Sequence, residues 1–432
     1  MNPFSPIAPP RPVSLSNRTG CMRSSWLIRP QRRLGQTGLA FFIILSSTVI
    51  PFSIDMYTPA VPSLPGYFNT TEQMVNFTLM GFFLVMTVAS LLFGPVSDRI
   101  GRKPILVASL TVYTAGGILC ALSPSIGALI AARFVQALGA GALMAVSMAL
   151  VKDCFVEERR EQMIAIIQVL AVVGPVIAPL IGGVLLIFFD WRSSFVALAI
   201  FGACCLAFAI LFEESLPQEE RSAGGISSTL YGLVKVGRNR SFLTLLAMVA
   251  FFNVAFSSYL AVASYIYVDF FGMTPQGYTY FFAVTAAFTA LGPIIWLKAS
   301  KKVTPRAFTH VMMVLGLASA IALLLFGTSS AFAFCGMLIL YATIQSAIRP
   351  YTTNVLLSLQ QGDTGSASSL INFTFSMFGV IGMSVIMVGW PNYIFGIGAI
   401  MLVCTCFSCV LWVLLLRSPR LNIPEFDKQR RG

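Results

Sequence analysis

Long apolar stretches that lack acidic and basic residues recur along the whole chain. A helix that crosses a bilayer needs roughly 20 predominantly apolar residues, because each residue advances the helix by about 1.5 Å. Two stretches, 307–348 and 364–416, are too long for one crossing. Each contains a turn-forming segment, Gly327-Thr328-Ser329-Ser330 in the first and Gly389-Trp390-Pro391-Asn392 in the second. Ser123-Pro124-Ser125 divides a third stretch in the same way.

This pattern predicts an all-α membrane protein with twelve transmembrane helices. The predicted spans cover residues 38–58, 76–96, 105–122, 125–150, 163–187, 194–212, 242–268, 277–297, 307–327, 329–349, 364–388 and 392–416. Alternating segments of about ten residues, which are typical of a transmembrane barrel, do not occur in these stretches.

The composition supports a membrane environment, since 57% of the residues are hydrophobic and only 10% are charged. Soluble proteins carry about 25% charged residues, so this chain has too few charges to cover a surface in water. The high apolar content excludes a disordered chain, and the absence of a glycine period excludes a collagen-like one.

The basic residues indicate the orientation of the spans. All of the 28 Lys and Arg residues except Arg133 and Arg192 fall on one side of the predicted topology, which also holds both termini. Cytoplasmic loops carry the excess of Lys and Arg, so both termini are predicted to be cytoplasmic in a multi-pass protein of the plasma (inner) membrane. The net charge of +12 is thereby explained without a nucleic-acid partner.

The longest internal connection, 214–241, separates six spans from six. We therefore expect two six-helix bundles, 38–213 and 242–416, joined by a cytoplasmic linker and followed by a cytoplasmic tail, 417–432. Residues 1–37 are predicted to be a disordered basic cytoplasmic segment. Alternatives for this segment are an organellar targeting peptide and an over-extended start with Met22 as the first residue.

Catalysis and ATP use are not indicated. The chain has one His, no HExxH or GxSxG motif and no Walker A sequence. Most of its nine Cys lie in predicted spans, and the Cys404-Thr405-Cys406-Phe407-Ser408-Cys409 segment has no His or acid nearby to complete a zinc site. We therefore expect no enzyme activity, no metal site and no cofactor.

Asp55 and Arg133 are the ionisable residues deepest in the predicted spans, Asp55 near the outer end of span one and Arg133 about 12 Å into span four. An isolated charge there costs at least ~2.5–3.5 kcal/mol, so such residues are functional candidates. We expect the two to pair and to couple transport to protons. A fixed ion pair that only orients the two spans is the structural alternative.

Aromatic and amide residues in the second half are candidates for lining a substrate cavity. These are Phe252, Asn253, Phe256, Tyr259, Tyr341, Gln345, Asn372 and Phe375, to which Tyr57 and Gln136 of the first half are added. A pocket for amphipathic molecules combines apolar walls with a few polar anchors. Packing within the helix bundle is the alternative role for each residue.

The loop after span two contains Gly94-Pro95-Val96-Ser97-Asp98-Arg99-Ile100-Gly101-Arg102-Lys103, which fits G-x-x-x-D-R-x-G-R-K at every fixed position. Gly101 can adopt a positive φ and Gly94 permits close helix approach. Asp98 can cap a neighbouring helix or pair with its dipole, while Arg102 can reach acids across the bundle. The segment resembles the signature loop of the major facilitator superfamily.

Three further segments narrow the resemblance to twelve-span drug:proton antiporters of the Bcr/CflA branch. They are Ser53–Pro62, Arg133–Ala142 in span four, and Gly174-Pro175-Val176-Ile177-Ala178-Pro179-Leu180-Ile181-Gly182-Gly183 in span five. Ala137 and Ala178 depart from the usual pattern, each standing where the family has Gly. The resemblance covers residues 38–416 and implies that Gly174, Pro175, Pro179, Gly182 and Gly183 form the antiporter motif that seals one bundle against leak.

The resemblance implies the major facilitator fold and export of amphipathic drugs or similar small molecules in exchange for protons. The alternative is a facilitator or proton-coupled transporter of a sugar-like or amino-acid-like metabolite. The expected partners are a small-molecule substrate, protons and the lipid bilayer, and we expect a monomer.

Overall fold

The computed structural model of the protein describes residues 27–28, 31–221, 226–360 and 364–417. Within these ranges, twelve helical rods are long and apolar enough to cross a membrane, which confirms the predicted fold class. Most of the predicted N-terminal segment, residues 222–225 of the linker and nearly all of the tail lie outside the described residues.

The first six rods form the N-terminal half of the bundle. They consist of α1 (Gly35–Asp55) continued by a 3₁₀ helix (Thr58–Ser63) and α2 (Leu64–Phe68), then α3 (Glu72–Ile100), α4 (Arg102–Ala121), α5 (Ile126–Cys154), α6 (Glu157–Phe188) and α7 (Arg192–Leu211). A short 3₁₀ helix (Gln218–Glu220) and α8 (Ile226–Gly237) lie in the predicted linker. The linker is therefore partly helical.

The other six rods form the C-terminal half. They consist of α9 (Arg240–Tyr265) with a π-helical end (Ile266–Phe270), α10 (Pro275–Thr289) followed by α11 (Leu291–Ala299), then α12 (Pro305–Phe326), α13 (Ala331–Ser358), α14 (Thr364–Val385) and α15 (Tyr393–Arg417).

The three turns predicted inside long apolar stretches separate helices as expected. Ser125 begins α5 by accepting a hydrogen bond from the backbone amide of Ala128, and Ser330 begins α13 in the same way through Ala333. At the start of α15, the side chain of Asn392 accepts from the amide of Phe395. Polar caps satisfy amide groups that the first turn of a helix leaves unpaired.

The two largest differences from the predicted span boundaries lie at the ends of the first and tenth spans. The first rod continues to Phe68 instead of ending at residue 58, because Pro59, Pro62 and Pro65 lie within or at the start of short helical turns and do not break the rod. The tenth span, helix α13, continues to Ser358 instead of ending at residue 349. Asp55 consequently lies further from the end of the first rod, and Arg349 further from the end of α13, than the sequence pattern suggested.

Five hydrogen bonds between described residues join the two halves, and they share one end of the bundle. Their partners are Tyr278 with Thr58, Gln276 with Gly183, Asn76 with Met383, Ser384 with Met80, and Tyr393 with Glu72. The larger hydrophobic core also crosses between the halves here, through Met56, Tyr57 and their neighbours. We refer to this end as the closed end and to the opposite end, which carries the loop 97–104, as the loop end.

Candidate functional site

Asp55 is the last residue of α1 and lies immediately below the closed end. Its side chain is only 6% exposed, and no hydrogen bond or ion pair with any described residue reaches its carboxylate. Thr58 donates from its hydroxyl to the backbone oxygen of Asp55 at 2.8 Å. A buried carboxyl without a fixed partner is free to gain and lose a proton as its surroundings change.

Tyr278 of α10 connects the Asp55 segment to the C-terminal half. Its hydroxyl donates to Thr58 Oγ1 at 3.1 Å, and the same threonine oxygen donates to the backbone of Asp55. Both Tyr278 and Thr58 are buried. Two successive hydrogen bonds therefore connect Tyr278 of the C-terminal half to the backbone of Asp55, the candidate proton carrier.

The glycines of the α6 segment make the surface against which the Asp55 region packs. A Cβ atom on Gly174 would lie 2.7 Å from Cγ of Pro51, and one on Gly182 would overlap the carbonyl oxygen of Met56. Only glycine allows α6 to approach α1 this closely on both sides of Asp55. Gly183 faces the other half, where its Cβ would lie 3.0 Å from Thr279 Cγ2.

The two prolines of this segment do not interrupt the helix. Pro175 and Pro179 lie inside α6, which remains continuous from Glu157 to Phe188. Prolines are tolerated in transmembrane helices because neighbouring groups satisfy the backbone carbonyls that lose their partners. The segment is therefore a close-packing surface in this structure, and the sealing role that the resemblance implied stays a prediction.

Arg133 is fully buried in α5 and bridges three helices of the N-terminal half. Its guanidinium donates to the backbone oxygen of Ser53 in α1 at 3.1 Å and to that of Thr78 in α3 at 3.4 Å. It also donates to Gln136 Oε1 at 2.8 Å, and it lies 4.0 Å from the ring centre of Phe82. A charge held by carbonyl dipoles and an aromatic face is stabilised without a carboxylate.

The expected pairing of Asp55 with Arg133 is not made in this structure, since no ion pair within 4 Å joins them in the described part of the chain. The reason is helical geometry. Arg133 reaches the Ser53 carbonyl, while Asp55 is two residues further along α1, and side chains two positions apart leave a helix on different faces. Pairing in another state of a transport cycle stays a prediction.

Tyr57 and Gln136 hold Arg133 in place here. The Tyr57 hydroxyl bonds to Thr78 Oγ1 at 2.7 Å, and its ring centre lies 4.7 Å from the guanidinium carbon. Both residues are at most 1% exposed. Their predicted contact with a substrate therefore requires a rearrangement of this buried cluster.

The structure brings together part of the predicted cavity lining in the C-terminal half. Asn253 of α9 donates to the backbone oxygen of Phe375 in α14 at 2.7 Å, and Gln345 of α13 donates to Asn253 Oδ1 at 2.9 Å. Asn253, Gln345 and Phe375 all lie near the middle of their helices. They therefore mark the centre of this half of the bundle.

The other predicted lining residues are divided between packing and open positions. Phe252 and Tyr341 are fully buried and pack with ring centres 5.6 Å apart. Tyr259 is also fully buried, and its hydroxyl has no hydrogen-bond partner. Phe256 is half-buried and Asn372 is exposed, and their contact with a substrate stays a prediction.

At the loop end, Arg102 is the centre of an ion-pair cluster. Its guanidinium lies 2.5 Å from the carboxylate of Asp98 and 2.8 Å from that of Asp153 in α5, which confirms that it reaches an acid on another helix. Gly101 has a φ of 116°, and a Cβ there would lie 2.5 Å from Glu214. Glycine is therefore required at this turn.

Two of the predicted contacts of this loop, a helix cap by Asp98 and a close helix approach at Gly94, are not made in this structure. Glu214 caps α4, because its carboxylate accepts from the backbone amides of Arg102 and Lys103, while Asp98 pairs with Arg102 instead of capping a helix. No atom lies within 4 Å of a Cβ built on Gly94, so this glycine permits no close helix approach in this structure.

The remaining loop residues are less enclosed. Arg99 is exposed, and Lys103 donates from Nζ to the backbone oxygen of Ile210 at 3.0 Å. Sequence reasoning missed Asp153 and Glu214, since both lie far along the chain from the loop motif. The only signal in the sequence was that Asp153 and Glu214 are acids that closely follow the ends of predicted spans, where an acid can pair with a basic loop.

The chain is similar to known families and proteins. The profile of the family described as Major Facilitator Superfamily matches residues 43–383. The chain is 24% identical to Multidrug resistance protein MdtL of Escherichia coli O9:H4 (strain HS) over 380 residues, 87% of this chain and 94% of that protein. It is 30% identical over 260 residues to Uncharacterized MFS-type transporter YdgK of Bacillus subtilis (strain 168), which is 60% of this chain.

Some of these alignments are partial. The match to the Bacillus protein spans 65% of that protein, and a match to MdtL of Escherichia coli O81 (strain ED1a), 29% identical over 180 residues, spans 46% of that protein and 41% of this chain. In these alignments the chain covers less than two thirds of its relatives.

Solved structures share the fold. A peptide transporter named POT superposes with a TM-score of 0.72 at 16% identity, covering 91% of this chain and 98% of that chain. A bacterial homolog of the human lysosomal transporter Spinster, in an inward-facing and occupied conformation, superposes with a TM-score of 0.70 at 15% identity, covering 90% and 98% of the two chains. Identities this low show the fold alone.

Proposed function

Because the chain belongs to the major facilitator superfamily, it is a multi-pass membrane transporter and not an enzyme, and we propose that it exports amphipathic small molecules in exchange for protons. We further propose that it belongs to the drug:proton antiporters of the Bcr/CflA branch. The name of the MdtL relative, a multidrug resistance protein, supports this assignment. We propose that it acts as a monomer in the plasma (inner) membrane with both termini in the cytoplasm.

One observation carries the proposal: the Asp55 side chain is buried without a partner among the residues that the structure describes, directly beneath the contacts that close one end of the bundle. With cytoplasmic termini, the closed end faces outward. A carboxylate enclosed among apolar groups is costly while it is charged, and a proton taken up from outside removes that charge. Protonation thus favours closure of the outer end, and opening of the loop end lets the proton leave to the cytoplasm.

The energy of one proton is sufficient for export. A proton that crosses ~100 mV releases ~2.3 kcal/mol, and a difference of half a pH unit adds roughly 0.7 kcal/mol. Together, about 3 kcal/mol sustain a gradient of order 10² for a neutral substrate. No Walker A sequence occurs in the chain, so the proton gradient is the source of energy that we propose.

The test is transport into inverted membrane vesicles that contain the full-length protein. An imposed proton gradient, acidic inside, should drive accumulation of at least one amphipathic dye from a set that contains a cationic, a neutral and an anionic member, and dissipation of the gradient should release the dye. A facilitator would equilibrate its substrate without accumulating it. Accumulation of a sugar or an amino acid, with none of the dye, would contradict the proposed drug export.

A further inference from the structure

Arg349 is a cation inside the bundle, and it makes no contact with Asp55, Arg133 or the Arg102 cluster described above. It lies in α13, nine residues before the helix ends at Ser358, and thus about 14 Å from that end. Its guanidinium carbon lies 4.7 Å from the ring centre of Phe375, which is near the middle of α14. A charge at this depth is costly, and such residues are candidates for function.

The side chain of Arg349 lies between two helices of the C-terminal half and is not covered. It is exposed, while the ring of Phe375 next to its guanidinium is only 6% exposed. Because α14 contributes this ring, the guanidinium is directed toward a neighbouring helix. The neighbouring residues Ala347, Ile348 and Tyr351 are buried, so the exposure is confined to Arg349 and the residues on its face of the helix.

No acid balances this charge. Within the described part of the chain, no hydrogen bond or ion pair reaches the guanidinium, and the hydroxyl of Thr352 bonds to the backbone oxygens of Ile348 and Arg349. The described residues of α9, α13 and α14 include no Asp or Glu. The guanidinium therefore keeps its five N–H donors available.

The polar groups beside Arg349 are already committed to each other. Gln345, one helical turn away on the same face of α13, donates to Asn253, and Asn253 donates to the backbone of Phe375. These hydrogen bonds fix the positions of α9, α13 and α14 relative to one another. Arg349 is left as the group that can meet a ligand, beside the aromatic face of Phe375.

We propose that Arg349 binds the anionic group, a carboxylate or a sulfonate, of an amphipathic substrate whose apolar body lies along Phe375. The planar guanidinium matches the two oxygens of such a group. This proposal names the substrate class of the proposed export. The transport of the anion rests on the proposed export function, whereas the binding of the anion to Arg349 does not depend on it. Exchange of an entering proton for a leaving anion carries two charges inward, so a membrane potential alone drives it.

Binding is tested with two probes that share one aromatic body, naphthalene-1-sulfonate and its uncharged counterpart naphthalene-1-sulfonamide. Thermal unfolding of the purified full-length protein is followed in an uncharged detergent while each probe is titrated. The wild type should be stabilised by the sulfonate at concentrations at least tenfold below those needed for the sulfonamide. Arg349→Gln should abolish this preference, and Arg349→Lys should retain part of it.

Arg240→Gln is the matched control, since Arg240 is an exposed arginine at the start of α9, and it should preserve the preference for the sulfonate. Equal stabilisation of the wild type by the two probes would overturn the proposal, as would an undiminished preference in Arg349→Gln. If Arg349→Gln does not fold, the proposal is tested by two results: the wild type must prefer the sulfonate, and Arg349→Lys must show a weaker preference than the wild type. Stabilisation by phosphatidylglycerol that depends on Arg349, with none by the sulfonate, would assign the group to lipid and overturn the proposal.

Failure of the proposed export would be seen separately, in inverted vesicles. There, a membrane potential, positive inside, should drive uptake of radiolabelled naphthalene-1-sulfonate by the wild type but not by Arg349→Gln. Binding of the sulfonate without any driven uptake would support the anion site and contradict the proposed export.

Discussion

At the scale of single residues, Arg133 holds three helices together through the hydrogen bonds of one guanidinium group. A hydrogen bond to a charged group contributes about 1.5–3 kcal/mol. We expect Arg133→Ala to lower the free energy of unfolding by about 3 kcal/mol. Arg133→Lys should lose less, because it retains the charge without the planar fork. Thermal unfolding of the purified variants measures this, and an Arg133→Ala variant as stable as wild type would contradict the bridging role.

Tyr278 provides a second prediction at this scale. Tyr278→Phe removes the donor to Thr58, and a net loss of about 1 kcal/mol shifts the population away from the closed end by roughly fivefold. Spin labels on the exposed turn residues Leu122 and Val388 would report this shift as a larger fraction of long distances. Tyr280→Phe is the control, since Tyr280 is 65% exposed on the same helix. Identical distance distributions for both variants would exclude this contact as a determinant of closure.

At the scale of elements, the approach of α6 to α1 depends on glycine at position 182. Gly182→Ala places a methyl group on the carbonyl oxygen of Met56, so α6 must move away from the Asp55 segment. We expect proton-driven export to fall at least tenfold and the melting temperature to drop. Gly94→Ala is the matched control, because its methyl group meets no atom within 4 Å, and it should remain within about twofold of wild type.

A Gly182→Ala variant with normal export would show that the close approach is dispensable. Export that is lost while the melting temperature is unchanged would instead indicate that the α6 surface acts in coupling rather than in stability. Either result is read from the same two measurements, transport into inverted vesicles and thermal unfolding.

The elements also show what sequence reasoning could predict. Charge-free stretches and the turns at Ser123-Pro124-Ser125 and Gly389–Asn392 predicted the number of helices, because a bilayer demands long apolar helices whatever their neighbours are. The continuation of the first rod to Phe68 was not predicted, because prolines such as Pro59, Pro62 and Pro65 usually end a helix. The Glu214 cap and the environment of Arg349 were missed because they depend on contacts between distant segments.

At the scale of the whole molecule, closure of one end brings residues from both halves into direct contact. A Cβ on Gly183 would lie 3.8 Å from the Cβ of Thr279, which suits a disulfide. We expect the variant Gly183→Cys/Thr279→Cys, in a background without other cysteines, to cross-link on oxidation and to stop transport. Reduction should restore it, and each single variant should be insensitive to oxidant. Continued transport by the cross-linked protein would contradict alternating access at this end.

The central claim is that Asp55 carries the proton that drives export. The direct measurement is dye accumulation in inverted vesicles under an imposed proton gradient for wild type, Asp55→Asn and the control Asp190→Asn, which changes an exposed acid paired with Arg192. We predict that Asp55→Asn inserts and folds like wild type but accumulates no dye, while Asp190→Asn accumulates it normally. Accumulation of dye against a gradient by Asp55→Asn would show that another group carries the proton.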